Sequence, residues 1–206
     1  MKKFLIIGLA ALSIAALLPQ NLAAGVGVKG GLALSKFAIK PEGSVPFPVE
    51  NLTGLVGGLY FDLGFGPLSF EADVLYARMG MKGTLEGVTM EDRLDYVQVP
   101  AFLKVRVIPA GPIRPFVYAG GYGSYLLNAK GVMTSDLGSD SADLDGVFQK
   151  YDYGVVGGVG VEFKIPGVRL SAEGRYNFGL ANIVKNPDPG ESGKNRSIMA
   201  LVGIGF

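Results

Sequence analysis

The sequence predicts an all-β chain: an eight-stranded antiparallel up-and-down β-barrel that crosses a membrane, preceded by a cleaved signal peptide. Three observations predict it. Residues 151–164, YDYGVVGGVGVEFK, alternate with period two. Tyr153, Val155, Gly157, Val159, Val161 and Phe163 fall on one face, and Asp152, Gly154, Val156, Gly158, Gly160, Glu162 and Lys164 on the other, because successive side chains of a strand point to opposite faces. Tyr153 and Phe163 close the apolar face ten residues apart, which at a tilt near 40° spans roughly 25 Å, the height of a barrel's apolar band. Next, the chain is 49% hydrophobic and 18% charged, yet past residue 18 no apolar run approaches the ~18 residues of a membrane helix. Last, the connections between alternating segments are in turn long and short.

Residues 1–24 open with Lys2 and Lys3, continue through an apolar core at 4–18, and break at Pro19 and Gln20 before Ala23 and Ala24. That is the pattern of a secretory signal peptide, with cleavage expected after Ala24, or after Ala23, and the barrel domain over residues 25–206. The first strand, 25–37, sets Val26, Val28, Gly30, Leu32 and Leu34 against Lys29 and Ser35. Its GVGVKG matches a dinucleotide-binding spacing, but no strand precedes it and no helix follows, as that site requires. A Pro-rich loop, 38–52, leads to strand 53–63, a Gly/Pro turn at 64–67 and strand 68–79, where Glu71 and Asp73 oppose Phe70, Ala72, Val74 and Tyr76. Loop 80–91 precedes strand 92–107, in which Gln98, Lys104 and Arg106 share a face and Pro100 marks a bulge or a break in the ladder. After turn 108–114 come strand 115–127, the polar loop 128–150, strand 151–164, turn 165–167, strand 168–178, loop 181–196 and strand 197–206, which ends on Phe206. An even strand count closes without an edge, short turns lie on the periplasmic side with both termini, and long loops face outward.

Composition removes several classes of chemistry. With no Cys there is no disulfide framework and no thiolate metal site; with no His there is no Ser-His or Cys-His catalysis. A net charge of +1 gives no electrostatic case for nucleic acid. No catalytic, cofactor or metal residues are expected, and the chain reads as a non-enzyme.

The two faces carry different chemistry. Arg78 is the one charge on an apolar face, near a strand's outer end, where it can snorkel. The apolar-face aromatics sort by end: Phe61, Phe70, Phe163 and Phe206 near the short turns, and Tyr76, Tyr125, Tyr153, Tyr176 and Phe178 near the loops. These form the two expected interfacial girdles. The polar faces balance six positive residues (Lys29, Lys104, Arg106, Lys164, Arg169, Arg175) against six negative ones (Asp62, Glu71, Asp73, Asp152, Glu162, Glu173). An eight-stranded barrel is only wide enough for side chains to fill it, and buried charge must be paired, so a salt-bridged, closed interior is expected. Glu71, Asp73, Glu162 and Glu173 then neutralise the interior bases instead of forming a paired-acid active site. A soluble lipocalin-like barrel would reverse the two faces. Asp136, Asp140, Asp143 and Asp145 suit a cation chemically, but their spacing misses the calcium-loop pattern, and a solvated acidic loop is expected.

The segments LDYVQVPAFLKV (94–105), RPFVYAGGYGSYLL (114–127), YDYGVVGGVGVEF (151–163) and SAEGRYNFGLANI (171–183) resemble the outer-membrane protein beta-barrel domain family, the PorT-like and porin-family proteins of Gram-negative bacteria. The size is similar to that of OmpA/OmpX-type barrels. The resemblance implies integration in the cell outer membrane, and Phe206 as the signal read by the barrel-assembly machinery during insertion. It implies no single activity, since fold does not fix function. The expectation is a monomer in contact with outer-membrane lipid, acting as a structural or surface-interaction protein through its external loops. The alternatives are a narrow porin passing small solutes and an accessory to envelope protein export.

Overall fold

The computed structural model describes residues 23–41, 49–85, 87–135, 138–144, 146–187 and 189–206. The expected leader therefore lies outside the described residues, except Ala23 and Ala24, which open the first strand. Nine strands follow one another with no helix among the described residues: β1 (Ala23–Lys40), β2 (Glu50–Phe65), β3 (Leu68–Leu85), β4 (Val88–Arg106), β5 (Ile113–Ser135), β6 (Gly138–Asp143), β7 (Tyr151–Ile165), β8 (Val168–Gly179) and β9 (Ser192–Gly205).

All pairings are antiparallel, and β1–β9 and β4–β5 close eight of the strands into a ring. β6 stands outside the ring and, among the described residues, pairs only with β5. A row of paired residues can be followed around the barrel: Gly25, Asp62, Glu71, Phe102, Gly120, Val156, Asn177, Ser197 and Ser35. It returns to β1 ten residues beyond its start, 35 against 25, which is the shear of the barrel. With eight strands and ordinary strand spacing, that shear sets a tilt of about 40°.

The turns follow from their residues. Pro166 brings its fixed φ to the β7–β8 turn and Gly167 a φ of 78°. Gly66, with φ 64°, supplies the positive φ that primed hairpin turns need. The termini and the connections 66–67, 107–112 and 166–167 share one end of the barrel, called the turn end below. The other is the loop end.

Two sequence expectations are corrected at the loop end. The segment 80–91 is a hairpin, not a loop: β3 and β4 pair as far as Thr84 with Thr89 and Leu85 with Val88. Within 128–150, β5 continues to Ser135 and turns back through β6. Apolar alternation stops where the strands leave the apolar belt, but backbone pairing does not need it. Pro100 proves to be a gap and not a bulge: Ala72 pairs with Ala101 and Leu75 with Gln98 in one register, with the ladder missing between, because proline has no N–H to give. The register shift in β4–β5 lies instead between Asp95 and Tyr96.

Candidate functional site: the barrel interior and its loop-end lid

The side chains that strand alternation turns inward form three layers. Nearest the turn end is one continuous ion network. Arg169 lies 3.1 Å from Asp62, and Asp62 3.3 Å from Arg106. Arg106 Nε donates to Glu162 at 2.8 Å, and Lys104 lies 3.4 Å from Glu162. Glu71 accepts from both Lys104 and Lys29. Lys29 reaches Glu173 at 3.3 Å and Asp73 at 3.8 Å, and Arg175 Nη2 donates to both of those carboxylates, at 2.8 and 2.7 Å. Asp62 and Glu71 stand directly opposite across β2–β3, where like charges repel; the bases around them remove that repulsion. Nine of the ten network side chains are no more than 6% exposed, and Arg169 at 23% is the outermost.

Aromatic rings set the bases in place. Lys29 lies 4.8 Å from the Tyr60 ring, Lys104 4.5 Å from Phe116, and Arg175 5.1 Å from Phe102 and 5.5 Å from Tyr118. Arg175 Nε also donates to the Tyr118 hydroxyl at 3.0 Å. The glycines of β7 make room for these rings. Phe116, Tyr118 and Tyr122 pair with Gly160, Gly158 and Gly154, and a Cβ at any of the three would come within 2.4–2.8 Å of its ring.

Above this layer, toward the loop end, amides and hydroxyls take over, with Asp152 the one carboxylate among them. Asn177 donates to Gln98 at 3.0 Å, Gln98 to Ser124 at 3.2 Å, and Asn195 to Asp152 at 2.9 Å. The third layer is apolar, with Phe37, Met79, Leu94 and Leu126 among the buried residues. Two residues from the connections complete it: Phe148, whose ring centroid lies 5.9 Å from that of Phe37, and Ile183, fully buried. Their segments are joined over the mouth by the bridge between Phe148 and Val184 and by Gln149 N–H donating to Ile183 C=O at 2.8 Å.

Of the twelve residues expected in the interior charge network, the structure brings ten together. Lys164 is exposed, a correction: its parity is inward, but it pairs with Arg169 one rung from the β7–β8 turn, where its long stem reaches water. Asp152 is buried but makes no ion pair among the described residues; Asn195 and Tyr122 donate to it. Glu71, Asp73, Glu162 and Glu173 are all ion-paired. Among the described residues no group of three or more Asp or Glu is placed to hold a metal ion. Asp140 and Asp143 lie on the exposed β6, while Asp136 and Asp145 lie outside the described residues.

The outer surface carries the apolar belt. Phe70, Phe163 and Phe206 are exposed toward the turn end and Phe61 is partly covered there; Tyr76, Tyr125, Tyr153, Tyr176 and Phe178 are exposed toward the loop end. Sequence reading missed Tyr151, which shares the parity of Tyr153 and meets Tyr125 edge-on at 5.4 Å. It also missed Asp95, the cross-strand partner of Arg78, whose Nε donates to it at 2.7 Å. The layer of Phe148 and Ile183 carried no periodic signal, because both lie in irregular segments.

A closed ring with a charged interior, an apolar outer belt and aromatics at both rims defines a membrane-spanning β-barrel. The chain belongs to the outer membrane protein beta-barrel domain family, whose profile matches residues 19–185, and is an integral protein of the outer membrane. Among solved structures it is similar to Neisserial surface protein A (16% identity over 91% of this chain and 99% of that one, TM-score 0.51). It is also similar to Ail, the attachment invasion locus protein of Yersinia pestis, solved with the heparin analogue sucrose octasulfate (16% identity, 89% and 99% covered, TM-score 0.43). No curated protein sequence matches the chain.

Proposed function

We propose that this protein is a closed, non-catalytic barrel that acts as a structural and surface-interaction element of the outer membrane, through its loop end. What supports this reading is the succession of buried ion-paired, polar and apolar side chains along the interior. The ion network occupies the turn-end half, and the layer bearing Phe148 and Ile183 covers the loop end, so a narrow porin finds no support in the packing. The turn end with both termini faces the periplasm, and the hairpins β3–β4 and β5–β6, which continue past the apolar belt, are what the molecule offers outside. The barrel is monomeric, its belt is covered by lipid, and Phe206 is read by the assembly machinery during insertion. Residues 1–24 direct export and are removed.

The test replaces residues 130–143 by a two-residue Asn-Gly turn and compares this variant with wild type for adhesion of intact cells to surfaces and to one another. Loss of adhesion by a variant that still folds and inserts is expected. A folded variant that keeps all wild-type adhesion would overturn the proposal.

A further inference from the structure

On β1 and β9 the apolar belt gives way directly to bases. Leu34 and Ile198, both exposed, face each other as its last apolar rung, and the next outward rung is Lys36 opposite Arg196. Lys194 follows opposite Ala38, and Lys40 opposite Ser192, so Lys194 is diagonal to both Lys36 and Lys40, within reach of long side chains. Strand parity puts all four bases on the outer face with Val26, Leu32 and Ile204; Arg78 is therefore not the one charge that shares a face with the belt. Toward the loop end of β3 and β4, Arg78 is paired with Asp95 and Arg93 with Glu91. Among the described residues none of the four bases on β1 and β9 has a carboxylate in ion-pair contact. Asp152, behind the wall, draws on Arg196 through space only.

Arg196 is set in place in advance. Its guanidinium lies 3.5 Å from the ring centroid of Phe178, its partner on β8 and a member of the loop-end girdle. Its Nη1 donates to the carbonyl oxygens of Asn195, at 3.0 Å, and of Gly179, while Nε and Nη2 have no partner among the described residues. The belt and the girdle fix what the cluster meets, because headgroups lie just beyond the hydrocarbon and interfacial aromatics mark that level. Bases at a membrane surface draw anionic lipid, by roughly fivefold each, and a guanidinium beside ammonium groups suits the oxygens of a phosphate. We infer that Lys36, Lys40, Lys194 and Arg196, on the outer face of β1 and β9, bind the phosphate headgroup of an anionic lipid in the leaflet around the loop end. The site needs only the ring in a membrane, so it stands or falls apart from adhesion by the loops.

The refolded barrel in neutral detergent is titrated with dioleoyl phosphatidic acid and, separately, with dioleoyl phosphatidylcholine, and bound lipid is counted by native mass spectrometry. Wild type is expected to hold phosphatidic acid about tenfold or more tightly. Lys36→Gln/Lys194→Gln changes two side chains that make no hydrogen bond among the described residues. It is expected to weaken phosphatidic acid by about fivefold per base removed and to leave phosphatidylcholine unchanged. Lys130→Gln/Lys164→Gln removes the same charge from exposed positions elsewhere and is expected to bind as wild type does. Inorganic phosphate is expected to displace no more lipid than chloride at matched ionic strength. Equal affinity of wild type for the two lipids would overturn the site, as would a Lys36→Gln/Lys194→Gln variant that keeps the preference or a control that loses it. Displacement by inorganic phosphate would overturn a lipid headgroup as the ligand and leave a site for free anions.

Discussion

Arg175 shows most directly what the interior charges do. It is fully buried, holds Asp73 and Glu173, donates to Tyr118 and lies beside the stacked rings of Phe102 and Tyr118. Replacing a well-paired buried ion set with apolar groups can be neutral, but removing one partner leaves uncompensated charge, at about 3–5 kcal/mol. Arg175→Met is therefore expected to lose about that much in urea unfolding of the detergent-refolded barrel, while a change at exposed Lys164, such as Lys164→Gln, stays within about 0.5 kcal/mol. Gly158→Ala sets a methyl 2.5 Å from both the Tyr118 ring and the Gly174 carbonyl oxygen. Overpacking of that kind costs about 1–3 kcal/mol, and the same unfolding experiment measures it. At this scale the sequence was legible through parity, which assigns Lys29, Glu71, Lys104 and Arg175 to the inside without any knowledge of partners. Parity failed for Lys164 because facing inward is not the same as being enclosed one rung from a strand's end. It was silent on which rings sit beside which bases, since Phe102 with Arg175 and Phe116 with Lys104 meet only when strands distant in sequence are brought into register.

At the scale of the element, the strands were readable only as far as the membrane. Within the apolar belt the period-two signal is forced by two unlike environments, lipid outside and packed charge inside. Beyond it both faces of a hairpin meet water, and the alternation has no cause. Thus β3 and β4 run on to Leu85 and Val88, and β6 forms from GSDSAD, a segment with no apolar residue except Ala142. The lid is the opposite case, buried apolar side chains on irregular backbone. It is held by Phe148 against Phe37 and by the Phe148–Val184 bridge, and truncating a buried Phe to Ala costs about 3–5 kcal/mol locally. Phe148→Ala is expected to speed hydrogen exchange at Gln149 and Lys185, whose amides donate across the two connections, while the β7–β8 ladder keeps its protection. Loss of protection throughout the barrel would show that the lid and the ring unfold as one unit.

For the whole molecule, eight strands and a shear of ten residues determine how much room the ring encloses, and buried side chains occupy it in three layers. Closure leaves the eight-stranded ring without an edge, as a lipid environment demands, and the same closure lets a network run from Arg169 through Lys104 and Lys29 to Arg175 without reaching water in the middle. The eightfold ring and the long-short alternation of connections were legible in the sequence. The layering was not: ion pairs at the turn end, amides and hydroxyls with a single carboxylate above them and an apolar lid last depends on heights that only the shear supplies. The most direct test of a filled interior is single-channel conductance of the refolded barrel in a planar bilayer, with folding confirmed by faster gel migration before boiling. A silent bilayer is the expected result. Steady ohmic openings from the folded protein would contradict it and show that ions pass the network and the lid.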